Sequence, residues 1–147
     1  MMNNTENMKV KARLPDGAIA ELRLQLSWDK DRELYQIALT DSSENVTCFP
    51  ATDLYQAMQA LREHLETQGC QLLCAGARPD VAPSGMSRDM GGGRQAYFLQ
   101  LGKQATELVD IFAYADPSVV GTVQQQRKFV DAWWASWKAQ PPNRGHA

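Results

Sequence analysis

Residues 9–39 read KVKARLPDGAIAELRLQLSWDKDRELYQIAL, and this stretch decides the fold. Val10, Ala12 and Leu14 alternate with Lys9, Lys11 and Arg13, the period of a half-buried strand. Pro15-Asp16-Gly17 then reverses the chain, because proline presets φ and glycine accepts a positive one. On the return, Ala20, Leu22, Leu24 and Leu26 share one face, with Glu21, Arg23 and Gln25 on the other. A charged turn from Asp29 to Arg32 leads into a third alternating run at Tyr35, Ile37 and Leu39. Three strands on short turns predict an antiparallel meander with one wet face.

Upstream, residues 1–8 are polar and predict a frayed start. Downstream, Asp41 to Asn45 is a polar loop and Val46 to Phe49 a short edge strand. Pro50 precedes a helix whose apolar stripe is Ala51, Leu54, Met58, Leu61 and Leu65, with Thr52 as N-cap, Asp53 in the first turn and Gly69 as the stop. Cys70 to Ala75 is an apolar run that predicts a central strand. Gly76 to Arg94 has five glycines, two prolines and no periodicity, so it reads as a long loop, a type that is usually functional or disordered. Tyr97, Leu99 and Leu101, then Leu108 to Phe112, read as two more strands, broken by Asp116-Pro117. Thr122 and Gln125 have the spacing of a capping box. The helix they start runs to about Lys138, with Val123, Val130, Trp133, Trp134 and Trp137 as its stripe, and residues 139–147 form a loose tail. Strands that come in runs predict an α+β domain spanning the chain, with an antiparallel or mixed sheet of five to six strands and two helices on one face.

The 147 residues carry a net charge of −2, so no global basic field gathers nucleic acid. Residues 1–77 hold 11 acids and 7 bases, and residues 78–147 hold 6 and 8, a mild polarity that orients a charged partner without naming it. No stretch approaches the roughly 20 apolar residues of a membrane span, and the start lacks the apolar centre of a secretory signal. The odd set of cysteines, Cys48, Cys70 and Cys74, argues against a disulfide framework. The expectation is therefore a cytoplasmic protein, bound to neither membrane nor nucleic acid, with free thiols.

Catalytic chemistry finds little to work with. His64 and His146 are the only histidines, and His64 lacks a second ligand at helical spacing, so neither a metal site nor a histidine-activated nucleophile is expected. Cys70-x3-Cys74 is neither a zinc knuckle nor a redox pair. Gly91-Gly92-Gly93-Arg94 offers backbone N–H groups to an anion, but a strand follows instead of a helix, and no G-K-[ST] is present. Asp110 lies in an apolar strand, facing solvent by alternation or else paired with a loop arginine. No catalytic residue, cofactor or metal is assigned.

The segment richest in contact chemistry is the long loop. Arg78, Asp80, Ser84, Arg88, Asp89 and Arg94 are interleaved with Pro79, Pro83, Met86 and Met90. Mixed charge gives directional contacts, and methionine adapts to an apolar surface. The same residues equally fit a loop that pairs with itself and plugs a sheet edge. Trp133 and Trp134 are adjacent and cannot both point into a core. The stripe reads as core, with Trp134 the candidate for an exposed anchor. Arg78, Asp80, Ser84, Met86, Arg88, Asp89, Arg94 and Trp134 are the candidate partner-binding residues.

The run GARPDVAPSGMSRDMGGGRQAY at 76–97, with LVDIF at 108–112 and V-G-T-V-x-x-Q at 120–126, resembles a family of small bacterial immunity proteins. These accompany polymorphic toxins, including contact-dependent growth-inhibition systems. The resemblance covers about residues 70–137 and implies a non-enzyme that binds and neutralises a cognate toxin domain. It implies no catalytic residues, and it leaves a homodimer open. An acidic first half would suit a basic toxin partner. The reading from a different class is a small-ligand or nucleotide-binding protein using the Gly-rich loop at 85–94.

Overall fold

The structure is a computed structural model and describes residues 4–138. Four strands come first: β1 (Asn4–Arg13), β2 (Ile19–Asp29), β3 (Leu34–Thr40) and β4 (Val46–Ala51). Helix α1 (Leu54–Glu66), β5 (Gln71–Leu72), a 3-10 turn at Ala75–Ala77 and β6 (Val81–Ala82) follow. Then come α2 (Gly85–Gly91), β7 (Gln95–Phe98), β8 (Leu108–Asp110) and α3 (Val123–Lys138). The fold is α+β. A five-stranded antiparallel sheet, in the order β4-β3-β2-β1-β5, accompanies a three-stranded one, β6-β7-β8.

The meander forms where its alternation places it. Val10 and Ala12, Leu24 and Leu26, and Ile37 and Leu39 are buried on one face, with Leu24 opposite Leu39 and Leu26 opposite Ile37. Each turn closes on an aspartate. Asp16 Oδ1 accepts from Ala18 N–H, Asp29 Oδ1 from Asp31 and Arg32 N–H, and Asp41 Oδ1 from Ser43 and Asn45 N–H. These are the short side-chain-to-backbone bonds that make aspartate a turn residue. Four hydrogen-bonded strands curl around α1, whose stripe of Leu54, Met58, Leu61 and Leu65 is fully buried.

Several expectations need correction. The start is not frayed up to residue 8: β1 pairs with β2 from Asn4 onward, and Glu6, on the core-side face, meets Arg94 instead of apolar side chains. Asp53, not Thr52, caps α1, its carboxylate accepting from Gln56 N–H at 2.7 Å. The Cys70–Ala75 run is no central strand. Gln71 and Leu72 pair at the sheet edge against β1, Cys74 makes a single bridge to Tyr114, and Leu73 to Ala77 are buried. Residues 76–94 are not a structureless loop but hold part of the 3-10 turn, β6 and α2, and with them a third helix and a second sheet that the sequence reading lacks. The expected tail at 139–147 lies outside the described residues.

The second sheet shares the core of the first: Val81, Ala96 and Ile111 join Leu26, Met58 and Leu61 in one buried cluster. Helix α3 begins with the capping box, Thr122 Oγ1 accepting from Gln125 N–H at 3.0 Å and Gln125 Oε1 from Thr122 N–H at 2.8 Å. It rests on α1 and β6 by its first turns. Val123 and Gln126 are buried, Phe129, Val130 and Trp133 half-buried, and Trp134 and Trp137 exposed. The tryptophans are thus not a core stripe, and Trp134 is the member of the pair that stands out.

Candidate functional site

At the centre of the 76–94 segment lies a buried polar knot that the sequence reading missed. Arg62 of α1 is 2% exposed and Gln126 of α3 is 0% exposed. Arg62 donates to Gln126 Oε1 at 2.6 Å, to Gly76 O at 3.0 Å and to Gly121 O at 3.0 Å. Gln126 Nε2 donates to the carbonyls of Gly76, Arg78 and Val81, each at 2.9 Å. A buried charge persists only with compensation, and here backbone carbonyls supply it. Burial pushes the Arg62 pKa down, but arginine stays charged in proteins. Gly76 sits so close to Met58 and Ile111 that a Cβ there would run into the Met58 sulfur. The knot therefore fastens the segment's backbone to both long helices. Its signal in the sequence was weak: two polar side chains beside the apolar stripes of α1 and α3.

The loop arginines are held in the same way. Arg78 forms a two-point pair with Asp80 at 2.7 and 2.8 Å, and its guanidinium lies 4.8 Å from the Phe98 ring centre. The bond to Asp80 raises the Arg78 pKa. Arg88 Nε donates at 2.7 Å to Asp53, whose other oxygen caps α1. Arg94 bridges Asp110 at 3.0 Å and Glu6 at 2.7 Å over the Phe112 ring. Asp110 is therefore the partner of a loop arginine. The Arg94 hydrogen bond holds the Glu6 carboxyl below its usual range, and the bond to Glu6 raises Arg94 in turn.

Ser84 is spent on local structure. It caps α2 in a reciprocal box with Ser87, each side chain accepting from the other's backbone N–H at 3.0 Å. The glycines close the helix instead of opening a cradle. The N–H groups of Gly92 and Gly93 both donate to Ser87 O, and Gly92 O accepts from Leu54 N–H at 2.6 Å. Gly92 has φ +67°, and a Cβ on it would meet the Tyr35 ring, so only glycine fits. Met86 is exposed, and the side chain of Asp89 lies outside the described residues.

Of the candidate residues whose side chains are described, Met86 and Trp134 are the ones left in solvent. Trp134 is 54% exposed on α3. The adjoining turn after β7 is tied to that helix: Trp133 Nε1 donates to Lys103 O at 3.0 Å, and Gly102 N–H to Ser136 Oγ at 2.9 Å. This turn carries the exposed Leu101, so Leu101, Trp134 and the exposed Trp137 stand on two fastened elements.

Other expected chemistry can be located. His64 is half-buried with its ring tilted 5.5 Å from Phe49. Cys48, Cys70 and Cys74 are free thiols, and burial pushes Cys74 up to about 11. Among the described residues no group of three His, Cys, Asp or Glu is placed to hold a metal, and no helix is long and apolar enough to cross a membrane. A cleft of about 280 Å³ beside Arg94 is lined by Glu6, Trp28, Tyr35 and Leu54, with Trp28 stacked on Tyr35 at 5.7 Å. Comparison with known proteins finds no family model and no curated protein that matches the chain.

Proposed function

We propose that the chain is a binding protein of the immunity type, which docks on a toxin domain and neutralises it without chemistry of its own. The observation that carries the reading is Trp134, more than half exposed on a helix fixed at its other end by the buried Arg62–Gln126 knot. Tryptophan is enriched among residues that dominate binding energy, and a rigid anchor loses little entropy on docking. The internal pairing of Arg78, Arg88 and Arg94 moves the proposed contact surface away from the loop and onto the Leu101–Trp134–Trp137 face. The toxin as partner rests on the resemblance of about residues 70–137 alone.

The test is co-expression with the product of the adjacent gene, followed by pull-down and a growth-rescue assay. Binding with rescue is expected, and Trp134→Ala should weaken binding at least tenfold with little loss of stability. No complex and no rescue would refute the toxin reading. A complex indifferent to Trp134→Ala would refute the assignment of the face.

One observation favours a second reading. The stacked Trp28–Tyr35 pair beside Arg94 suits a flat ligand, which a thermal shift with a nucleotide panel would reveal. Arg94 is already neutralised there by two carboxylates, which weighs against a strongly anionic one.

A further inference from the structure

The outer face of the five-stranded sheet, turned away from α1, carries an arrangement that the proposed docking face does not use. Its register places Lys9 opposite Arg23, Arg23 opposite Thr40 and Thr40 opposite Val46, in one row across four strands. The neighbouring row is Asn7, Gln25, Ala38 and Cys48. Asn7, Lys9, Arg23, Gln25, Ala38, Thr40 and Val46 line an open cleft of about 540 Å³.

Like charges directly opposed on neighbouring strands destabilise a sheet. Lys11 is opposite Glu21 and its ammonium lies 5.5 Å from the Tyr114 ring centre, and Arg13 donates to Gln71. Lys9 has no ion pair among the described residues. Arg23 is met by Glu44 at 2.6 Å, from an exposed turn in which Glu44 holds φ +66°, a conformation costly for a residue with a Cβ. The floor beyond Arg23 turns apolar: Ala38 is buried and Val46 exposed.

We infer that this cleft is a binding site for a small amphipathic anion, a carboxylate or phosphate borne on a flat apolar body. The anionic group bridges the Lys9 ammonium and the Arg23 guanidinium, relieving their repulsion. The apolar body lies across Ala38 toward Val46, a reach of two to three strand spacings of about 4.8 Å each. Asn7 and Thr40 supply further polar contacts, Asn7 being fixed by Gln25, whose Nε2 donates to its Oδ1 at 3.1 Å. Glu44 is then an internal competitor, a carboxylate already on Arg23 that the ligand displaces. This site is separate from the α3 face and does not depend on the toxin reading.

The test is a titration of the ¹⁵N-labelled full chain with 1-naphthyl phosphate, followed by amide shifts, with 1-naphthol as the uncharged control. Saturable shifts at Lys9, Arg23, Ala38 and Thr40 are expected with the phosphate and not with the naphthol. Lys9→Gln should weaken binding about fivefold, and Glu44→Gln should tighten it about threefold, as expected for gain or loss of a charge-assisted contact. The gain in Glu44→Gln is a sign that misfolding cannot produce. Shifts confined to other surfaces, equal binding of 1-naphthol, or a dissociation constant unmoved by both variants would overturn the assignment.

Discussion

Changing Gln126 to glutamate sets two interactions against each other and shows which one holds the core. Gln126 Oε1 accepts from Arg62, and that contact would become a buried ion pair. Gln126 Nε2 donates to three carbonyls at 2.9 Å, so two amide hydrogens serve three acceptors. In Gln126→Glu an oxygen replaces that nitrogen. Gly76 O keeps its bond from Arg62 and Arg78 O a long one from Val81 N–H at 3.3 Å, but both Arg78 O and Val81 O lose their donor from Gln126 and face a carboxylate. The buried Val81 O left without this donor costs about 1–3 kcal/mol, and the half-buried Arg78 O, which keeps its long bond from Val81 N–H, costs less. Desolvating the new carboxylate costs about as much as its attraction to Arg62 returns, several kcal/mol each way. The net loss is about 2 kcal/mol, or about 4–8 °C in melting temperature for a chain of this size. Urea unfolding followed by tryptophan fluorescence measures it. Protonation turns the new group back into a donor, so the deficit should be smaller at pH 5 than at pH 8. A Gln126→Glu protein as stable as the parent, or one that gains stability toward pH 8, would refute the view that the amide's donation, not Arg62's charge, organises the knot.

Asp53 does two jobs with two oxygens, so Asp53→Ala should cost about 2–3 kcal/mol in urea unfolding, the sum of a lost cap and a lost charged bond. Asp53→Asn keeps an oxygen for the cap and should cost about 1 kcal/mol. The Cys74 thiol, pushed from 9.0 up to about 11 by burial, predicts an alkaline loss. Below pH 9 both states hold the proton and stability is intact. Between pH 9 and 11 only the unfolded chain releases it, and about 2 kcal/mol drains away, a component that Cys74→Ala should lack. The same burial predicts that a thiol reagent labels the exposed Cys48 fast and Cys74 only on unfolding. Glu6 titrates below its usual 4.5 because Arg94 holds it, so in Arg94→Ala its NMR midpoint should rise back toward that value. The contribution of that pair to stability is present above the unfolded carboxylate range and is lost as pH falls through the lower, folded value.

The meander was legible because its information is local. A period of two fixes which face is buried, and aspartate and glycine fix the turns within four residues of themselves. The stripe of α1 and the capping box of α3 were legible for the same reason. Residues 76–94 looked structureless because their order comes from far along the chain. Arg62 reaches Gly76 across 14 residues, Asp53 holds Arg88 across 35, Gln126 holds Val81 across 45 and Glu6 holds Arg94 across 88. Apart from Arg62 and Gly76, no window short enough to show periodicity contains both ends of such a bond. The loop arginines, expected to meet a partner, make their directional contacts with carboxylates of the same chain. A loop paired with itself is the alternative reading of these residues, but the sequence does not say which carboxylates accept.

That outcome changes what the immunity resemblance means for this molecule. The run at 76–97 and Gln126 of V-G-T-V-x-x-Q are the residues that carry it, and the structure turns most of their polar groups inward, onto each other and onto α1. Such a motif marks a way of building the core and is silent about the partner. The proposed contact residues, Leu101, Trp134 and Trp137, fall outside the quoted runs. Gln126 and Trp134 nevertheless share α3, two turns apart, so a change at either can weaken partner binding. They should do so differently. Trp134→Ala removes a contact from an intact helix, lowering affinity while the urea midpoint stays within about 0.5 kcal/mol of the parent, as for other exposed positions. Gln126→Glu loosens the helix that presents the tryptophan, so affinity and stability should fall together. If Trp134→Ala instead unfolds the chain as readily as Gln126→Glu, the tryptophan is part of the packing and the docking face lies elsewhere.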